Sequence, residues 1–221
     1  MTGTRAVGND VVDLLDPRTH GRVGDDRFLA RVLHQRELTA VRAAPDPDES
    51  LWMHWAAKEA AYKVVSKLRG APPVFVHRDF VVDGDGVGHE GSRYPLEVTR
   101  LGSVIHALSC AGAPPSEVVA GMGELDRSGA PWRGSLEELL ARFTEREADP
   151  VHSRASAAVR LGARAALASA LDVAEERLEI VCAPGVTGRR PPRVLLDGSP
   201  AGADVSLSHH GRWIAWALLL G

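Results

Sequence analysis

Residues 55–63 read WAAKEAAYK, and the placement of this stretch decides how the rest of the chain is read. Alanine and lysine favour helix. At 3.6 residues per turn, Trp55, Glu59 and Lys63 stand above one another on one stripe. Alone, the stripe admits a plain reading: Glu59 and Lys63 at i, i+4 form an ordinary surface pair worth about 0.3–0.5 kcal/mol. It becomes a site only if other segments bring complementary groups to it.

Working outward, APDPDES (44–50) reads as a loop whose Ser50 caps a helix over 51–67, stopped by Gly70 and the Pro72-Pro73 pair. A second helix is expected near 25–43, with Asp25 or Asp26 as N-cap. AVGNDVVDLL predicts a strand over 5–12, followed by a turn at Asp16-Pro17. Past Pro73 the period becomes strand-like: VFVHRDFVVD, YPLEVTR, SVIHALSC and EVVAGMGEL read as an antiparallel meander. DRSGAPWRG (126–134) reads as a linker. It leads into an amphipathic helix over 135–147, with Ser135 and Glu138 in capping-box spacing. The alanine-rich run 153–171 is a long helix, followed by strands at about 177–183, 193–196, 203–208 and 212–220. Helices followed by antiparallel strands occur twice, an α+β pattern. The expected architecture is two similar lobes, each an antiparallel sheet packed on a long helix: 1–125, a linker and short helix at 126–150, and 151–221.

Composition narrows the function classes. With 26 basic and 29 acidic residues the net charge is −3, so nothing global advertises nucleic acid or an anionic membrane. The opening residues lack the apolar run of a signal peptide, and WIAWALLL near the end is too short to span a bilayer. A cytoplasmic location is expected. Cys110 and Cys182 lie in or near apolar stretches and read as free thiols rather than a disulfide; no CxxC or Cys/His cluster suggests zinc.

Three further segments carry chemistry. In GNDVVDL (8–14), strand alternation puts Asp10 on one face and Asp13 on the other. Asp10 is either an edge-strand acid facing water or a Mg²⁺ ligand, with Glu59 as the second carboxylate and Lys63 meeting a phosphate on the same ion. In SLSHHGRW (206–213), Ser206, Ser208 and His210 share one strand face and His209 lies on the other. The histidines suit either a core position or phosphate and nucleotide contact. A Ser–His hydrolase reading lacks any G-x-S-x-G elbow. In TGRRPPRV (187–194), Arg189, Arg190 and Arg193 flank a rigid proline pair, either a solvated hairpin or a set of guanidiniums for phosphate or adenine edges.

Together these pieces resemble the 4′-phosphopantetheinyl transferase superfamily, marked by a G-x-D strand, a W-x-x-K-E-x-x-x-K helix and an S-x-S-H strand. Here they stand as Gly8-Asn9-Asp10, Trp55 to Lys63, and Ser206 to His209. In the large, surfactin-type enzymes the S-H strand precedes the G-x-D strand; here the order is reversed, so the chain looks like a circular permutation of that two-lobed enzyme. Permutation predicts that Met1 and Gly221 lie near each other. The resemblance implies transfer of phosphopantetheine from coenzyme A to a serine of an acyl or peptidyl carrier protein. On the family pattern Asp10 and Glu59 hold Mg²⁺, Lys63 neutralises the pyrophosphate with Lys58 assisting, and Glu59 is the base for the serine hydroxyl, directly or through water. Ser208, His209 and Arg190 would contact the nucleotide part of coenzyme A, and Arg154 its phosphate. Val12 stands where surfactin-type enzymes carry another acid, and Asn9 has no assigned role. A basic stripe, Arg27, Arg31 and His34, with Arg18 and Arg22 before it, is expected to dock the carrier. A two-lobed build implies a monomer. The competing readings are a coenzyme A-binding protein that kept the fold without turnover, and an interaction module whose acids and lysines are surface pairs.

Overall fold

The computed structural model describes residues 4–70, 72–185 and 188–221. β1 (Ala6–Asp13) leads through two short 3₁₀ turns into α1 (Asp26–Val32), α2 (Gln35–Ala43) and α3 (Pro47–Leu68). The single helix expected at 25–43 is two. Leu33 is extended, and His34 caps α2 in a capping box whose Glu37 carboxylate accepts from the His34 backbone N–H at 2.7 Å. The basic stripe therefore ends at Arg31, because His34 belongs to the break. α3 begins four residues earlier than expected. Asp46, not Ser50, is its N-cap, and Pro47 takes a first-turn position where no N–H is required.

α3 packs on a five-stranded antiparallel sheet in the order β1-β5-β4-β3-β2, with β2 (Val81–Asp83), β3 (Gly86–His89), β4 (Ser92–Leu101) and β5 (Val104–Ala111). The alanines of the WAAKEAAYK stretch explain how close the helix comes. Ala56, Ala57, Ala60 and Ala61 are all buried, with β1 directly beneath. Gly8 lies under Ala60, so close that a Cβ there would overlap the Ala60 carbonyl oxygen and stand 3.1 Å from Val64 Cγ2.

β6 (Val119–Glu124) joins the other half. It pairs antiparallel with β13 (Trp213–Leu220), from Val119↔Leu218 to Trp213↔Glu124, in a sheet ordered β12-β13-β6 with β12 (Ala203–His210). β6 lies before the expected boundary at 125 yet pairs with a strand that follows it. Nor is 126–150 a free connection: α4 (Leu136–Leu140) and α5 (Glu145–Ala148) replace one longer helix, and Trp132, Leu139 and Val151 are buried in the second core. α6 (Arg154–Leu171) crosses the second sheet, where Gly162 lets the helix sit on the ring of Trp216. A smaller sheet, β11-β10-β7, completes this lobe: β7 (Leu178–Val181), β10 (Arg193–Leu196) and β11 (Ser199–Pro200). A two-residue pair, β8 (Pro184–Gly185) and β9 (Gly188–Arg189), carries the arginine hairpin. The molecule is α+β, with a long helix against an antiparallel sheet in each half. Among the described residues no helix is long and apolar enough to cross a membrane. Both cysteines are free, Cys110 buried and Cys182 half-buried.

The halves meet along β1 and β12. Each is an edge strand of its own sheet, and side chains join them instead of a backbone ladder. The N–H groups of Val7, Asn9, Val11 and Asp13 donate to Asp204 Oδ2 (2.7 Å), Ser206 Oγ (2.9 Å), Ser208 Oγ (3.2 Å) and His210 Nδ1 (3.2 Å). The offset is 197 residues at every rung, so the strands run parallel. Two lysines one turn apart on α3 tie the carbonyls of both strands. Lys67 Nζ donates to Val7 O (2.7 Å), Val205 O (2.6 Å) and Asp204 Oδ2 (2.8 Å), and Lys63 Nζ to Asn9 O (2.7 Å) and Leu207 O (3.4 Å). Edge groups that would otherwise pair with another chain are thereby satisfied. Val7, Leu108 and Cys110 against Ala217 and Leu219 seal the apolar side of the junction.

Candidate functional site

The junction opens into two adjoining cavities. The first, about 340 Å³, is lined by Asp10 from β1, Trp55, Glu59 and Lys63 from α3, and Ser208, His209 and His210 from β12. All three sequence motifs therefore converge on one space, and the Trp55–Glu59–Lys63 stripe forms one wall of it. The second, about 310 Å³, lies beyond Lys63 and His209 and is bordered by Lys67, Arg160, Cys182, Arg190 and Ser206. Lys63, Leu207 and His209 line both.

Asp10 is the focus of the first cavity. Its Oδ1 accepts from Ser208 Oγ at 2.7 Å and from Lys63 Nζ at 3.1 Å. Burial pushes its carboxyl above the ordinary value and the nearby Glu59 carboxylate adds to the rise, while Lys63 and Ser208 oppose it. Two carboxylates facing one desolvated space want a cation between them. Among the described residues there is no group of three or more His, Cys, Asp or Glu side chains placed to hold a metal; the carboxylates lining this cavity are Asp10 and Glu59. That set fits Mg²⁺, which binds through one or two carboxylates and completes its octahedron with water and phosphate oxygens. Val12 is buried in the first core and supplies no third acid. Asp13 points away, as alternation requires, and is held by Arg212 Nε at 3.0 Å.

The remaining expected residues separate into those the fold gathers and those it does not. His209 lies exposed at the wall shared by both cavities. Desolvation of its ring lowers its pKa below the ordinary imidazole value, and the Lys63 and Arg160 charges lower it further. Arg190 borders the second cavity, as does its neighbour Arg189, which is also paired with Asp149 at 2.6 Å. Thr187, the first residue of that motif, lies outside the described residues. Ser208 borders the first cavity, yet its hydroxyl is engaged twice within the protein, accepting from Val11 N–H and donating to Asp10. Its contact is with the Asp10 carboxylate.

Two residues are corrected. Lys58 is not at the site. At about 100° per residue it falls on the opposite margin of α3's buried arc from Lys63. It is fully buried, donating to Glu37 Oε2 (2.6 Å), Phe80 O and His77 O (3.3 Å). Burial lowers its pKa against the opposing pull of Glu37. Arg154 is paired with Asp126 at the start of α6 and borders neither cavity. The α6 guanidinium in the second cavity is that of Arg160, which the sequence reading missed. It is 7% exposed, its Nη1 donates to Ser156 Oγ at 2.6 Å, and its Nε is buried without a partner among the described residues. The i, i+4 pair Ser156–Arg160 was the available signal. Lys67, one turn past Lys63, was missed in the same way.

Asn9 has a place after all. Its Nδ2 stands 3.2 Å from His106 Nε2 on β5, and its carbonyl holds Lys63. Since an amide NH₂ only donates, His106 Nε2 is the acceptor and the ring is neutral. Burial lowers His106 to about 4. The unfolded histidine, near 6.5, therefore takes up a proton first as pH falls. The neutral ring's contribution is intact above about pH 6.5 and is lost between 6.5 and 4, by up to about 1.4 kcal/mol per pH unit. Urea unfolding of the wild type at pH 7 and 4.5 should show a steeper loss of stability than His106→Gln; equal slopes would contradict it.

Comparison with known proteins bears on the first half of the chain. Residues 6–89 match the family model described as the 4′-phosphopantetheinyl transferase superfamily. The mitochondrial holo-[acyl-carrier-protein] synthase of Eremothecium gossypii (strain ATCC 10895) is 33% identical over 78 residues, 35% of this chain and 45% of that protein. The chain thus spans less than half the length of that relative. The crystal structure of holo-[acyl-carrier-protein] synthase from Neisseria meningitidis superposes with a TM-score of 0.37 at 19% identity, covering 48% of this chain and 95% of that one.

Proposed function

We propose, from the match of residues 6–89 to the 4′-phosphopantetheinyl transferase superfamily model, that the chain transfers phosphopantetheine from coenzyme A to a serine of an acyl or peptidyl carrier protein, with Mg²⁺. The observation that carries this reading is the shared wall of Lys63, Leu207 and His209. A ligand with a nucleotide at one end and a diphosphate in its middle has a place for each. The 3′-phosphoadenosine would lie among Arg160, Arg190 and His209, and the diphosphate would lie beside Lys63 in the first cavity, on the ion that Asp10 and Glu59 would hold.

Asp10 and Glu59 would hold the metal, which supplies charge neutralisation for the diphosphate and the leaving phosphate. The carrier serine oxygen forms a bond to the phosphorus bearing the pantetheine arm, and the bond from that phosphorus to the adenosine 3′,5′-bisphosphate oxygen breaks. The serine proton passes to Glu59 and then to solvent. Lys63 is fixed by Asn9 O and Asp10, so its ammonium already faces the charge that develops on the leaving oxygens. Ser208 holds the Asp10 carboxylate in one orientation. The test is mass spectrometry of an apo carrier incubated with the protein, coenzyme A and Mg²⁺: the reading requires a gain of the phosphopantetheine mass. Binding of coenzyme A without that gain would favour the competing non-catalytic reading, whose support is the missing acid at Val12.

Carrier docking near α1 has its own support. The guanidinium carbons of Arg22 and Arg31 stand 5.6 and 5.5 Å from the Phe28 ring centroid. Phe28 stacks on Trp55, the aromatic wall of the first cavity, at 5.7 Å. Arg27 is exposed on the same helix, and Arg18 is bound to Asp16 at 2.7 Å. Reversing Arg22 and Arg31 to glutamate should raise the apparent KM for an acidic carrier about tenfold and that for coenzyme A less than twofold. Equal changes in both would end the docking proposal.

The permutation reading rests on motif order and on Arg5 and Gly221 bordering one surface cavity. Met1, named in that expectation, lies outside the described residues. A cytoplasmic, monomeric state remains part of this proposal.

A further inference from the structure

Glu59 does not stand alone on its wall. The short 3₁₀ turn His77–Asp79 that follows α3 places His77 beside it, with Nε2 3.4 Å from Glu59 Oε1. That nitrogen is buried and has no hydrogen-bond partner among the described residues. The ring is clamped between Phe75 (centroids 3.9 Å apart) and Trp55 (4.3 Å). Its backbone carbonyl takes Lys58 Nζ at 3.3 Å. Adjacent residues of α3 thus grip the same turn from two sides: Lys58 holds the backbone at 77 and 80, and Glu59 meets the imidazole.

We propose that His77 is a positioning residue for Glu59. With Nε2 protonated, a small turn of the carboxylate across the 3.4 Å gap would let Oε1 accept from it, which would fix the carboxylate's rotation and leave the other oxygen free for the ion and the serine proton. The inference rests on the reading of Glu59 as metal ligand and base. It asks for a donor at this point, not for a change of charge. A buried donor without a partner is costly, and carboxylates that bind metals are commonly held by such an outer contact, whose loss weakens metal affinity by about 10–100-fold.

The experiment is Mn²⁺ binding by electron paramagnetic resonance on the full chain. It uses the wild type, His77→Phe, which keeps the stack and deletes the donor, and His77→Gln, which restores a donor. Metal-free binding of adenosine 3′,5′-bisphosphate and the melting temperature report on the fold. His77→Phe should weaken Mn²⁺ binding at least tenfold and lower kcat, with nucleotide binding within twofold of wild type, and His77→Gln should recover most of both. His77→Phe should have no further effect in a Glu59→Gln background. Unchanged Mn²⁺ affinity in His77→Phe, or equal losses in the Phe and Gln variants, would overturn the role of His77 alone. Wild-type Mn²⁺ binding that is indifferent to Asp10→Asn and Glu59→Gln would overturn the underlying site reading, and the inference with it.

Discussion

Asp10→Asn and Glu59→Gln are each expected to lower the rate of phosphopantetheine transfer by roughly 10²–10³-fold while leaving the protein folded. The asymmetry follows from the environment of Asp10. Burial already works against its charge, so an amide relieves a desolvation penalty. The amide oxygen can still accept from Ser208 and Lys63, and Lys63 keeps the carbonyls of Asn9 and Leu207. What disappears is the negative charge that a divalent ion requires. Melting temperature should therefore shift by only a few degrees, and binding of adenosine 3′,5′-bisphosphate, proposed above to rest on Arg160, Arg190 and His209, should change little. Single-turnover rates with apo carrier measure the loss. A rate within a few-fold of wild type for both variants would mean that the paired carboxylates are not the reacting centre.

Gly8→Ala should produce the largest loss of stability of any single methyl added to the chain, about 3 kcal/mol or more. The obstacle is the backbone carbonyl of Ala60, which no rotamer change moves aside. β1, the strand that carries Asp10 and donates four rungs to β12, would have to lift from α3. Gly88 on β3 is the matched control. A Cβ there has only Val81 O nearby, at 3.8 Å, so Gly88→Ala should stay within about 0.5 kcal/mol of wild type. Urea unfolding of the two variants decides the point; equal midpoints would show that the strand and helix are not in the contact described.

The residues legible in the sequence were those whose positions are set by local periodicity. Trp55, Glu59 and Lys63 share a stripe because helices repeat every 3.6 residues. Asp10 and Asp13 diverge, and Ser206, Ser208 and His210 converge, because strands alternate. Lys58 illustrates the limit. Its neighbour in sequence is at the site, but its own partners are a carboxylate on α2 and carbonyls 19 and 22 residues downstream, and no local pattern announces such partners. Arg160 was hidden by the apolar company it keeps on α6, and β6 by lying before the composition break that suggested a boundary. In both cases tertiary pairing decided the outcome. The break at Leu33–His34 was readable in principle, since His34 and Glu37 stand in capping-box spacing, but histidine is an uncommon cap.

The parallel rungs from β1 to β12 bear on how the protein is made. Asp10 leaves the ribosome well before Ser208, which orients it, and His209, which lines both cavities; these emerge almost 200 residues later. Until β12 has emerged the edge of β1 that meets it stays open, and the groove between the two halves cannot form.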